Sequence, residues 1–314
     1  MQPIEFATDA EWHALRAEDV TSTESPALFG LSPYLTEYEL HWRKRERSAV
    51  QMEPTERMTW GLRLQGAIAA GVAEDKHWLI EDQSRRYYRH PKVPRMGCSL
   101  DYIARDVARL GDTYGIMEVK NLDALAYRDG WMVHDDGEIE APAHIELQVQ
   151  HQLEVTGLGW AAIVALVGGN TARVLLRERD AKIGSRIVSA IGAFWRDVDA
   201  GKPPAPDFAR DADFVRARHQ AVTPRAEPVD LRANNRLAEV CAAYKRAAAA
   251  ESAARTEKEA AGAEILTLIG DADRAMAQGF TISAGIVAGG PVAYERKPYR
   301  NLRVYEKKDA KNAA

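Results

Sequence analysis

The sequence predicts an α/β fold, a mixed central sheet flanked by helices, followed by a C-terminal extension of one long helix and a small β region. Three observations carry this. Stretches with apolar residues every three or four positions alternate with stretches of period two. A strand-like segment ending at Lys120, a helical pattern from Ala143 to Thr156 and a continuous apolar run from Trp160 to Val167 follow one another in βαβ order. Past Gly201 the texture changes to polar and alanine-rich.

The elements follow in order. Asp9 to Asp19 reads as a short helix capped by Thr8 or Asp9, and Thr36 to Glu46 as a second, entered from the Leu31-Ser32-Pro33-Tyr34 turn. A third spans about Thr55 to Ala73, where Met58, Leu62, Gln65, Ile68 and Val72 share a spacing that puts Gln65 within or beside a buried stripe. Between His77 and Lys120, strand formers punctuated by Pro91, Pro94, Gly97, Gly111 and Gly115 predict a small sheet with at least one hairpin. Gly157 ends the Ala143 helix. The Trp160 strand turns at Gly168-Gly169-Asn170 into a second strand, Ala172 to Glu178. Asp180 caps a helix reaching Val198, and Gly201-Lys202-Pro203-Pro204-Ala205-Pro206-Asp207 then breaks the chain. The domains expected are therefore 1–207, a linker 208–230, and an extension 231–314 with a helix from Leu231 to Ile269 and strand-like alternation from Phe280 to Tyr305 around Gly289-Gly290.

The chain has 314 residues, 46% of them hydrophobic, enough for a core without staples. No stretch nears eighteen uninterrupted apolar residues, which argues against a membrane span. Residues 1–18 carry Glu5, Asp9, Glu11 and Glu18 and no basic-then-apolar leader, so a cytoplasmic protein of a bacterial host cell is expected. Two isolated cysteines, Cys98 and Cys241, make neither a disulfide framework nor a four-ligand zinc site. Net charge is −4, against bulk coating of nucleic acid, but Pro291 to Ala314 holds seven basic and three acidic residues. That tail is a local handle for a polyanion, with arginine and tyrosine suited to phosphate pairing and stacking.

The chemistry concentrates in Gly115-Ile116-Met117-Glu118-Val119-Lys120. On a strand, Glu118 and Lys120 share one face and Met117 and Val119 the other. Asp101 precedes Glu118 by a distance one hairpin closes, so an Asp, a Glu and a Lys converge. Two carboxylates suit Mg²⁺ or Mn²⁺, and a lysine can orient an attacking water and offset developing charge. On its own, such a pair on a strand is commonly a solvated surface pair. An upstream Asp and a downstream helix with Gln148 and Gln152 among apolar neighbours give it context.

With these residues in place, the stretch from about Ala14 to Asp207 resembles the YqaJ-type viral recombinase family, kin of phage lambda exonuclease, within the PD-(D/E)xK nuclease superfamily. The resemblance rests on ordered motifs: Val20-Thr21-Ser22-Thr23-Glu24-Ser25, Leu28-Phe29-Gly30-Leu31-Ser32-Pro33-Tyr34, Trp60-Gly61, Cys98-Ser99-Leu100-Asp101, Met117-Glu118-Val119-Lys120, Gln148-Val149-Gln150-His151-Gln152, and Phe194-Trp195. It implies metal binding by Asp101, Glu118 and the carbonyl of Val119, a catalytic Lys120, and a Gln148 that helps place the nucleophile. Two Mg²⁺ ions per site are implied, with Mn²⁺ as a substitute. Arg16, Thr23 and Ser99 fall where the family clasps the 5′-phosphate, and Arg128 is the nearest match to a second phosphate-binding arginine. The implied activity is 5′–3′ exonuclease action on double-stranded DNA ends in phage-type recombination. A homo-oligomeric ring trimer and a single-strand annealing protein of the RecT/Redβ type are the implied partners. Two departures stand out: Gln65 replaces an expected glutamate, and Tyr102 follows Asp101 where glycine is common.

Other candidates are weaker. His144 and His151 are seven apart, whereas a helical metal pair wants four. Cys98 beside Ser99 lacks the partners of a nucleophile, so a buried thiol is expected. Gly168-Gly169 lacks the helix and lysine of a phosphate loop and reads as a turn. Two competing functions remain: a Cas4-like or RecB-like nuclease acting on single strands or flaps, and a catalytically silent DNA-binding relative.

Overall fold

Side-chain caps start the helices where the sequence places them. Thr8 and Glu11 close a reciprocal capping box on α1 (Asp9–Glu18), which follows β1 (Ile4–Glu5) and precedes β2 (Val20–Thr21). A 3-10 turn, Ser25–Phe29, leads to α2 (Glu37–Glu46), capped by Thr36, and α3 (Glu56–Lys76), capped by Thr55. The computed structural model describes residues 2–47, 55–108, 113–225, 227–291, 293, 295 and 299–305.

Next come β3 (Trp78–Asp82), β4 (Arg86–Arg89), β5 (Met96–Ser99), β6 (Tyr102–Asp106) and β7 (Thr113–Leu122). Then follow α4 (Ala124–Gly130), β8 (Met132–Val133), β9 (Ile139–Glu140), α5 (Ala143–Thr156), β10 (Trp160–Val167), β11 (Thr171–Glu178), α6 (Ala181–Ala200) and α7 (Ala212–Arg218). The chain divides into two compact units, Met1–Val215 and Arg216–Ala314. The first therefore runs past the Gly201–Asp207 break, and Asp211 within it is buried, accepting from the Thr36 hydroxyl.

The first unit is built on a five-stranded mixed sheet in the order β11-β10-β7-β6-β3. β7 pairs parallel with β10 and antiparallel with β6. Its alternation is clean: Met117 and Val119 pack with Ile68, Ala69 and Val72 of α3, while Ile116 packs on the opposite face with Val149 of α5 and Ile187 of α6. Helices on both faces bury β10 from Trp160 to Ala165 and β7 from Gly115 to Glu118, which is why β10 reads as continuous apolar sequence.

Two expectations need correcting. The strands between His77 and Lys120 do not form one small sheet. β4 and β5 join β1 and β2 in a separate four-stranded sheet, and the chain crosses to the large sheet between Ser99 and Tyr102. Local alternation identifies a strand but not the sheet it joins. In α3, Met58 and Leu62 are exposed and the buried stripe begins at Ile68, because the first half of the helix extends beyond the sheet contacts.

The second unit contains α8 (Asn235–Ile269), β12 (Arg274–Ala277) and β13 (Phe280–Ser283). Here the strand expectation is displaced. The hairpin turns at Gln278-Gly279, with Gly279 at φ 79°, rather than at Gly289-Gly290, and no described residue after Ser283 is in a strand. Of the basic tail, Arg296, Lys297, Lys307, Lys308 and Lys311 lie outside the described residues. Among the described residues no helix is long and apolar enough to cross a membrane.

Candidate active site

β7, the β5–β6 crossing and α5 bring the predicted residues together. Antiparallel register sets Tyr102 opposite Met117, so Asp101 arrives beside Glu118 and Val119, and its Oδ2 accepts from the Val119 N–H at 2.8 Å. Glu118 and Lys120 share the face toward α5, with Nζ to Oε1 at 2.7 Å. One α5 residue reaches both: Gln148 Nε2 donates to Glu118 Oε1 at 2.7 Å, and its Oε1 accepts from Lys120 Nζ at 3.3 Å. One turn further on, Gln152 Nε2 donates to Glu118 Oε2 at 2.8 Å and to the Ser99 carbonyl at 3.2 Å. Glu118 is thereby locked by three donors in a buried setting.

The electrostatics follow from burial and crowding. Asp101 is pushed up to about 7, first by burial and then by Glu118, against the opposing pull of Lys120, the Val119 N–H and a hydrogen bond from Gln65. Burial draws Lys120 down, but Glu118 and Asp101 outweigh it and raise its pKa above the usual value, so the ammonium stays charged. Two carboxylates compete for one lysine, and the pocket is short of positive charge.

Such a pocket fits a hard divalent cation. Asp101, Glu118 and the Val119 carbonyl supply oxygen donors of the right class, and Mg²⁺ needs few protein ligands because it keeps several waters. Among the described residues there is no cluster of three or more His, Cys, Asp or Glu suited to a metal ion, and Gln65 is the reason the helix α3 adds no third acid.

A second group lies beside Asp101 in the chain. Trp12 Nε1 donates to Ser99 Oγ at 2.8 Å, and the Arg16 guanidinium stacks over the Trp12 ring at 4.5 Å. Arg16 also donates to Thr23 Oγ1 at 3.2 Å. Arg16, Thr23 and Ser99 are thus linked through Trp12. Beneath them sits a buried ion pair: Lys44 Nζ donates to Glu24 Oε1 at 2.9 Å and to the Arg16 carbonyl at 2.7 Å, and Glu24 Oε2 accepts from the Thr21 N–H and hydroxyl. Arg128 is not part of this group in any contact seen; exposed on α4, it pairs with its neighbour Asp129 at 2.7 Å.

Two features of the site carry little sequence signal. Gln152 was visible only as a polar residue on an apolar helix, the same signal that marked Gln148, and its spacing of four from Gln148 put both on one face. The Lys44–Glu24 pair carried no signal, since Lys44 sits in a run of charged residues that reads as solvated. The alternatives resolve by burial. His151 is buried with Nε2 3.0 Å from the Gly97 carbonyl, while His144 meets Tyr34 edge-on at 5.8 Å, so they form no metal pair. Cys98 is buried, and burial followed by the Glu118 charge pushes its thiol well above the ordinary range. Gly168 and Gly169 form the β10–β11 turn.

Residues 11–159 of the chain match the model of the YqaJ-like viral recombinase domain. A curated relative, the uncharacterized protein YqaJ of Bacillus subtilis (strain 168), is 28% identical over 231 residues, covering 72% of this chain and 68% of that protein. Two solved structures share this fold. One is LHK-Exo in complex with dAMP (TM-score 0.51, 19% identity) and the other the alkaline exonuclease LHK-Exo from Laribacter hongkongensis (TM-score 0.50, 18% identity). Each covers 66% of this chain and 99% of the other. The fold is therefore mixed α/β, like that of these two structures.

Proposed function

We propose that this protein is a metal-dependent deoxyribonuclease that digests one strand of duplex DNA from its 5′ end, leaving 3′ single-stranded tails for phage-type recombination. The convergence of Asp101, Glu118, Lys120 and Gln148 into one hydrogen-bonded cluster carries the proposal. Asp101, Glu118 and the Val119 carbonyl would hold Mg²⁺, or Mn²⁺ in its place. When bound, the cation supplies Lewis-acid stabilisation of the phosphate and lowers the pKa of a coordinated water.

The chain's own groups do the rest. Lys120, charged at neutral pH, orients the attacking water and offsets charge building on the phosphoryl oxygens. Gln148 fixes Lys120 and Glu118 relative to each other, and Gln152 holds the second oxygen of Glu118. Arg16, Thr23 and Ser99 grip a terminal 5′-phosphate, which carries more charge than an internal diester and rewards a guanidinium with two hydroxyls. The resemblance extends the proposal to two cations per site, a ring trimer around the duplex and a single-strand annealing protein that takes over the tails.

The test compares nucleotide release, in Mg²⁺, from duplexes with 5′-phosphoryl ends, duplexes with 5′-hydroxyl ends, and single strands. Fastest release from the phosphorylated duplex, with label lost first from the 5′ end, is the result expected. Preference for single strands or flaps would reassign the site to the Cas4-like or RecB-like reading.

A further inference from the structure

The long helix α8 of the second unit spans 35 residues, about 52 Å at 1.5 Å per residue, and buries none of them among the described residues. Its apolar residues nevertheless follow a rule. Written in heptads, Leu237, Tyr244, Glu251, Lys258 and Ile265 occupy the a positions. The d positions are Val240, Ala247, Ala254, Ala261 and Leu268. Of the other large aliphatic residues, Ile269 flanks the seam at e and Leu266 alone falls off it. Bulk is concentrated at the two ends of the helix, and alanine fills the d positions between them.

Polarity along the seam selects one arrangement. In a parallel pair, a meets a, so Glu251 would face Glu251 and Lys258 would face Lys258, with tyrosine on tyrosine and alanine on alanine elsewhere. In an antiparallel pair, a meets d of the other helix. Leu237 then faces Leu268 of the second copy, Val240 faces Ile265, and Tyr244 is accommodated over Ala261. The charged residues also find small partners: Lys258 over Ala247 and Glu251 over Ala254. Each Glu251 then has Lys258 of the second copy one layer to one side and Glu251 of the second copy one layer to the other, whereas in the parallel pair like charges meet within a single layer. Read backwards, the helix is its own complement in size, the property an isologous two-fold contact requires.

We propose that α8 pairs antiparallel with α8 of a second copy of this chain. The contact is independent of the nuclease chemistry and joins copies two by two through their second units. A short alanine-rich seam lets the helices approach closely, and the lysine and glutamate, lying over alanine, set the direction and register of pairing.

The experiment uses the full chain in a Cys241→Ser background, with Ala247→Cys on one copy and Lys258→Cys on the other, co-expressed with different tags and oxidised mildly. The antiparallel pair brings position 247 of one copy against 258 of the other, while like positions lie about 16 Å apart along the axis, beyond disulfide reach. A covalent dimer carrying both tags, and none from either variant expressed alone, is the result expected. Dimers from each variant alone would establish parallel pairing and overturn the proposal. No dimer in any arm would show that something other than a second copy covers this face, and would overturn it equally.

Discussion

Glu118 spends both oxygens on three side chains, Lys120 and Gln148 at Oε1 and Gln152 at Oε2, so its orientation is set before any ligand arrives. Partners that orient a metal-binding carboxylate commonly matter nearly as much as the ligand itself. Replacing Gln152 with leucine should therefore lower metal affinity or turnover by about 10–100-fold while leaving far-UV circular dichroism unchanged; wild-type Mg²⁺ dependence in that variant would remove Gln152 from the site. His151, the adjacent residue, makes a different prediction. Burial draws its pKa down to about 4, against about 6.5 in an unfolded chain, with the Gly97 carbonyl 3.0 Å from Nε2 pulling the other way. A depressed histidine contributes stability that is fully present above pH 6.5 and is lost as the pH falls toward 4, because the unfolded chain then binds the proton first. Urea denaturation should show the wild type losing about 3 kcal/mol more than a His151→Gln variant across that window, since the opposing titration of Asp101, raised to about 7, is common to both. Equal pH dependence of the two would contradict the assignment. At this scale much was legible: Asp101, Glu118, Lys120 and Gln148 have chemistry and spacing that local sequence displays, whereas the buried Lys44–Glu24 pair depends on packing that it does not.

The elements hold the site through β7. Gly115 lies opposite Trp160 in the parallel register, and a Cβ built there would overlap the indole ring. Gly115→Ala should accordingly destabilise the first unit by about 1–3 kcal/mol, read as a lower urea midpoint with unchanged slope, since either the indole or the strand must shift. An unchanged midpoint would show that the β7–β10 contact is looser than described. Helices and the apolar β10 strand were legible because periodicity and caps are local: Thr8, Thr36, Thr55 and Asp180 start α1, α2, α3 and α6. The assignment of β4 and β5 to a second sheet was not legible, since strand partners are chosen by contacts distant in sequence, and the crossing at Leu100–Asp101 carries no glycine or proline to mark it.

Across the whole molecule, the first unit reaches Val215, tied by the buried Asp211 to Thr36 and by Arg210 to the Ser32 carbonyl. The Gly201–Asp207 break looked like a boundary because composition shows where helices stop, not where the chain packs. Limited trypsin digestion should therefore cut at the exposed Arg225 and Arg232 before Arg210; early cleavage at Arg210 would place the boundary nearer the proline-rich stretch. The central claim, that the Asp101, Glu118, Lys120 and Gln148 cluster is a nuclease site, is met most directly by Mg²⁺-dependent nucleotide release from a 5′-phosphorylated duplex, measured for the wild type, Glu118→Ala and Lys120→Ala. Release by the wild type that falls at least about 100-fold in both variants, with their folds intact, is the outcome this account predicts. Undiminished release in both variants would place the chemistry elsewhere in the molecule.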